Sequence, residues 1–253
     1  MALKVFVLGR PGSGKSTATH RIAKSAQRRD LSTTRINDYE ILHKWFRQER
    51  DHPRNGYKYF CPTDHNGFDV IDFSVLPLAL QEVEKRVQIH SSSKVNLVLI
   101  EFARDDYCEV LRTFSYNFLH DAYFLFLNAE IDICIQRVHE RITYPATPDD
   151  HFVSDGIIKS YYHKDNKPYI ISQLAQDYNL DDKRVRVIDN TVSHDSFLQK
   201  IDDFFDFLFS QELETSRKTS LLQGSSASAR VMIEPVCSFN RRYVDVAVEV
   251  GSM

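Results

Sequence analysis

The stretch "LKVFVLGRPGSGKSTATH" (residues 3–20) decides the fold. An apolar β-type run ends at Gly9, and Gly9, Gly14, Lys15 and Ser16 then satisfy the pattern G-x-x-x-x-G-K-[ST]. Three glycines in six positions let the backbone fold around a polyphosphate and aim several N–H groups at it. Such a loop needs a strand before it and a helix after it. Downstream, "KSTATHRIAKSAQR" (15–28) sets Ala18, Ile22, Ala23 and Ala26 along one helical face, whose positive N-terminal end adds to the anion site. Gly9, Arg10, Pro11, Gly12, Ser13, Gly14, Lys15, Ser16 and Thr17 are therefore the candidate cofactor-binding residues. Lys15 is placed to reach the β- and γ-phosphates of ATP, and the Ser16 hydroxyl to take one coordination site on Mg²⁺.

The 253 residues are 42% hydrophobic and 26% charged, which is enough for a sizeable core. A net charge of −3 gives no reason to expect a long nucleic acid as partner. Cys61, Cys108, Cys134 and Cys237 are widely spaced, so no disulfide framework is expected, and Cys108 and Cys134 read as small apolar fillers. Neither a signal-peptide core nor an apolar run of membrane-spanning length is seen, and a cytoplasmic location is expected.

Strand and helix patterns alternate along the chain. "LSTTRIND" (31–38) reads as a strand ending at Asp38, and "YEILHKWFRQER" (39–50) as a helix. Residues 51–73 carry two prolines, two glycines and five aromatics, too many turn signals for a regular element. A helix (74–90) then leads to the buried strand "KVNLVLI", which closes on Glu101. Next come a helix over 105–120 capped by Asp105 or Asp106, a strand (122–128) and a helix (129–142). After an interruption at 143–155, the strand "KRVRVID" and the helix "HDSFLQKIDDFFDFLF" complete the series. Five strands alternating with helices imply a five-stranded parallel sheet in a three-layer α/β/α fold, with ligands at the carboxyl edge of the strands. The expected domain spans 1–209, with a lid region at about 137–165. Residues 210–230 read as a polar linker, and 231–253 as a C-terminal β-hairpin arm that completes the fold or pairs between subunits of a homodimer.

Glu101 ends the most apolar strand and so belongs beside the phosphate loop, where a carboxylate orients Mg²⁺ directly or through water, or accepts a proton from an attacking hydroxyl. Asp38 holds the corresponding place after the second strand, either as a helix N-cap or as a catalytic neighbour. Arg104 lies three residues beyond Glu101, while Arg137 and Arg141 share one helix face leading into the lid region. Fixed guanidinium groups stabilise the charge that spreads over a transferring phosphoryl group. Tyr57, Tyr59, Phe60 and Phe68 are candidates to line an acceptor pocket. His52, Cys61, Asp64 and His65 match no zinc spacing.

The order "GRPGSGKST", "LIEFARDDY", "AYFLFLNAEIDICIQRVHERI" resembles the P-loop NTPases of the nucleoside and nucleotide kinase group, over about residues 1–209. It is most similar to the deoxyribonucleoside kinase and adenylate kinase-like proteins. In the former, Glu-Arg-Ser follows the third strand and the Glu is the general base. Glu101 matches that Glu, "EFA" replaces the triplet, and Arg104 stands one helical turn later. The resemblance implies phosphate contacts for Arg137 and Arg141, and an adenine-side loop after "RVRVIDN". The expected activity is Mg-ATP-dependent transfer to a small-molecule acceptor, a nucleoside or nucleotide. A P-loop ATPase or nucleotide switch, a polynucleotide-end kinase and a silent nucleotide-binding protein stay open as alternatives.

Overall fold

The computed structural model describes residues 2–52, 56–65, 67–91, 95–143, 151–191 and 193–226. The chain divides into two units, Met1–Leu208 and Phe209–Met253. Five parallel strands form the main sheet: β1 (Leu3–Leu8), β2 (Thr33–Asn37), β5 (Leu97–Phe102), β6 (Tyr123–Asn128) and β7 (Val185–Asp189), in the order β2-β5-β1-β6-β7. Two three-residue strands, β3 (Phe60–Pro62) and β4 (Phe68–Val70), make a separate antiparallel hairpin.

Period-two alternation explains why helices cover both faces. Val5 and Val7 point to one side, where they pack with Leu97, Leu99 and Leu125 beneath α1 (Lys15–Gln27) and the first turns of α10 (His194–Ser226). Phe6 and Leu8 point to the other, with Val98, Ile100 and Phe124, under α2 (Asp38–Asp51) and α3 (Val75–Ser91). Every residue of β5 is buried, which accounts for its unbroken apolar run up to Glu101. Phe6 lies at the centre, fully buried, its ring stacked 4.9 Å from Phe124 and edge-on to Phe102, Phe114 and Phe118.

The chain order doubles back at β1, which lies between β5 and β6. A crevice therefore opens at the carboxyl ends of these strands, the usual ligand position in open α/β sheets. Register fixes what meets there: Val7 pairs with Glu101, and Asn37 pairs with Glu101 from the other side.

Three expectations change. The hairpin of β3 and β4 falls within 51–73, where no regular element is expected. Its strands are too short to show a period, yet Phe60 and Phe68 turn inward while His65 takes a positive φ at the bend. The helix expected over 105–120 is broken into α4 (Tyr107–Val110), a 3₁₀ turn (Leu111–Thr113) and α5 (Tyr116–Leu119). Phe114 and Ser115 are extended there, which buries Phe114 against Phe6, and Glu84 accepts hydrogen bonds from the Ser115 amide (3.0 Å) and hydroxyl (2.5 Å). Asp106 caps α4, accepting from the Cys108 and Glu109 amides. Finally, α10 runs to Ser226, through most of the segment read as a linker, because that polar run carries no proline and no glycine before Gly224. The hairpin read over 231–253 and Cys237 lie outside the described residues.

The remaining elements are α6 (Ile131–Thr143), α7 (Asp155–Ser160), α8 (Lys167–Ser172) and α9 (Leu174–Asp177). No described helix is long and apolar enough to cross a membrane. Because Phe6 fills the middle of the larger core, Phe6→Ala should destabilise the protein by about 3–5 kcal/mol. A urea titration followed by circular dichroism reads this as a lower midpoint.

Candidate functional site

Residues 9–14 leave β1 and close on the start of α1. Gly12 has φ 79°, and a Cβ there would lie 2.4 Å from the Cys134 carbonyl, so the loop can pass this close to α6 only as glycine. Gly14, the N-cap of α1, has φ 99° and supplies no side-chain cap, which leaves first-turn N–H groups to a ligand. The outside of the loop is tied down. The Gly9 amide donates to the Tyr107 hydroxyl (2.8 Å), and Asn190 Nδ2 donates to the Ser13 carbonyl (2.8 Å). Arg10 points away from the cleft, donating to the carbonyls of Tyr162 (2.7 Å), Ala129 (3.1 Å) and Lys164 (2.7 Å). Its side chain is thus a brace rather than a wall of the cleft.

Lys15 folds onto the loop, donating to the carbonyls of Gly9 (3.0 Å) and Arg10 (2.9 Å). Burial holds its pKa below the ordinary lysine value, against the pull of Glu101. Ser13 Oγ is buried and has no hydrogen-bond partner among the described residues. Unmatched donors in a glycine-lined cradle suit a polyphosphate.

Glu101, 4% exposed, stands beside Ser16. The Ser16 hydroxyl donates to Oε1 (3.1 Å), and Oε2 accepts from Arg35 Nη2 (2.7 Å), Arg35 Nε (3.0 Å) and Thr19 Oγ1 (3.4 Å). One hydroxyl and one carboxylate, both hard oxygen donors, fit Mg²⁺ that keeps waters and phosphate oxygens as its other ligands. Among the described residues no group of three or more His, Cys, Asp or Glu side chains converges as a metal cage.

Across the cleft, Asp38 is not the helix cap. Asn37 caps α2 by accepting from the Tyr39 amide (2.8 Å), and Asp38 turns inward instead to pair with Arg104 Nη1 at 2.6 Å. Both partners are under 5% exposed. Burial pushes the Asp38 carboxyl up, and the Arg104 charge beside it works in the opposite direction. Arg104 is further held by the carbonyls of Ala103 (2.6 Å) and Leu76 (3.3 Å).

Lys15, Ser16, Asp38, Glu101, Arg104, Arg137 and Arg141 all border one cleft of about 620 Å³. Arg137 donates to the Asn190 carbonyl (2.9 Å), and Arg141 to the His151 carbonyl (2.6 Å). The wall opposite the loop is aromatic: Tyr39 stacks on His151 at 3.6 Å and on Phe68 at 5.5 Å. Of the aromatics expected there, Phe68 alone borders the cleft. Phe60 is buried beneath it, Tyr59 packs against the core, and Tyr57 is solvent-exposed. Tyr39, His151, Tyr161 and Tyr162 take their place. Arg35 and Tyr107 also escape a reading by motif: Arg35 reaches Glu101 from β2 through the sheet order, and Tyr107 reaches Gly9 from α4. A smaller hollow of about 270 Å³ lies beside Gly14 and Thr17, bordered by Arg137, Asn190, His194 and Phe197.

No family model matches the sequence, and no curated protein matches it. Among solved structures, a gluconokinase from Sinorhizobium meliloti 1021 superposes with a TM-score of 0.50 at 15% identity, covering 85% of this chain and 97% of its own. The APS kinase of Mycobacterium tuberculosis, in complex with AMPPNP and APS, gives a TM-score of 0.50 at 14% identity, covering 81% of this chain and 98% of its own. The chain shares the fold of these two kinases, a five-stranded parallel sheet between layers of helices.

Tyr107→Phe leaves the buried Gly9 amide without its acceptor and should cost about 1–3 kcal/mol of stability. The loss is read from denaturant titrations of the two proteins.

Proposed function

We propose that the protein transfers the γ-phosphoryl group of Mg-ATP to a hydroxyl of a small acceptor, a nucleoside or nucleotide. The observation that carries this reading is a single cleft with a phosphate-cradling loop on one side and a buried carboxylate, Asp38, fixed by Arg104 on the other. A site built only to hold or hydrolyse nucleotide has no use for that second half.

The loop amides and Lys15 hold the phosphates, and the hollow beside Gly14 takes the donor's base, with Arg137 and Asn190 at its rim. Ser16 and Glu101 hold Mg²⁺, which when bound neutralises phosphate oxygens. Glu101 is already engaged by Ser16, Thr19 and Arg35, so Asp38 serves as the base that takes the proton of the acceptor hydroxyl. Arg104 keeps that carboxylate oriented, while Arg137 and Arg141 stabilise the transferring group. The helix carrying these two arginines enters the lid region of about 137–165, whose role is to exclude water. The flat rings of Tyr39, Phe68 and His151 support an acceptor with a planar base, which stacks where a sugar alone would not. Of the two structures that share the fold, one is named a gluconokinase and the other an APS kinase in complex with AMPPNP and APS, which supports a small-molecule acceptor.

An acceptor screen over nucleosides, nucleotides, sugars and oligonucleotide ends, read by ADP release, tests the reading. Acceptor-dependent turnover is expected, and equal release with every acceptor would instead mark an ATPase. Lys15→Ala should abolish transfer in a folded protein.

A base works deprotonated, so activity falls as pH drops through the Asp38 pKa. Because burial raises that pKa, the acid limb of kcat/KM should lie above the ordinary carboxylate value of about 4. Asp38→Asn should lower kcat by roughly 10²–10⁴ with little change in ATP binding, and remove that limb.

A further inference from the structure

The two oxygens of Glu101 have different neighbours. Oε1 faces the Ser16 hydroxyl, the side suited to a metal, whereas Oε2 receives both Nε and Nη2 of Arg35. The same guanidinium reaches Ser16 itself, with Nη2 3.4 Å from the hydroxyl oxygen. Arg35 lies on β2, two residues before the position paired with Glu101, so its side chain leaves the strand on the same face as that register position. A cation is thus built onto the carboxylate that Ser16 contacts, in a partly buried place where charges are weakly screened.

We propose that Arg35 is a fixed countercharge that keeps the Ser16–Glu101 pair from taking up a free divalent cation, so that the metal enters only together with a nucleotide. The inference rests on the reading of the loop as a Mg-nucleotide site. An approaching Mg²⁺ meets a carboxylate already neutralised and a guanidinium beside it. The phosphates of a nucleotide supply the missing negative charge, and Arg35 then holds Oε2 while Oε1 remains turned toward Ser16. Arg35 is accordingly a positioning residue, acting on the metal through Glu101.

The probe is Mn²⁺ alone, titrated without nucleotide and followed by electron paramagnetic resonance of the free ion. The wild-type chain should bind it weakly at the site, and Arg35→Lys, which keeps the charge, should behave alike. Arg35→Gln and Arg35→Met should both bind Mn²⁺ tighter by roughly tenfold or more, as expected when a unit charge a few ångströms away is removed. Met retains the alkyl stem and its packing, which guards against an effect of lost contacts. A merely structural Arg35 would lower the melting temperature without any gain in metal binding. Unchanged Mn²⁺ affinity in the folded Gln and Met variants overturns the proposal, as does a tight nucleotide-free site in the wild type. A separate calorimetric titration of the wild type with Mg-AMPPNP tests the loop reading. Absence of binding there refutes that reading, while the Mn²⁺ comparison decides the role of Arg35 without needing nucleotide.

Discussion

Burying a carboxylate at the end of the most apolar strand is the constraint from which the site follows. Burying a carboxylate in that environment is costly unless donors surround it. They come from two elements: Ser16 and Thr19 on α1, and Arg35 on β2. Satisfying one side chain therefore fixes the start of the helix after the loop, the end of β5 and the edge strand relative to each other. Removing Glu101 would take one acceptor at once from Arg35, Ser16 and Thr19.

The second buried pair obeys a different logic. Asp38 and Arg104 come from the carboxyl ends of neighbouring strands and meet beside the cleft. Arg104 is also held by two carbonyls, so its position does not depend on the carboxylate it serves. An arginine fixed in this way orients its partner before any ligand arrives. Preorganised charge of this kind is the form in which folding energy contributes to rate.

Much of this was legible in the chain itself, for identifiable reasons. The glycine pattern from Gly9 to Gly14 and the helix after it are local, so a motif reads them. The all-buried β5 shows its type through an unbroken apolar run, and Glu101 follows as its last polar word. Arg35 is different: it sits in the polar strand "TTRIN", and only the order β2-β5-β1 brings it to Glu101. The assignment of Asp38 turned on a single position, because Asn37 and Asp38 can both cap a helix and the capping hydrogen bond settles which one does. The broken helix after Glu101 depends on Glu84, distant in sequence. Tyr39 and His151 meet across more than a hundred residues, which no spacing rule anticipates.

Tyr107 and Asn190 grip the loop from outside at the Gly9 amide and the Ser13 carbonyl, while the loop's own Arg10 anchors it to the Tyr162 carbonyl, and none of the three borders the main cleft. The loop is consequently shaped before a ligand reaches it. A ligand entering such a cradle loses its own freedom but does not have to order the protein, so the entropic cost of binding falls mainly on the small molecule. The corresponding loss for the chain was taken during folding, when Tyr107 and Asn190 closed on Gly9 and Ser13.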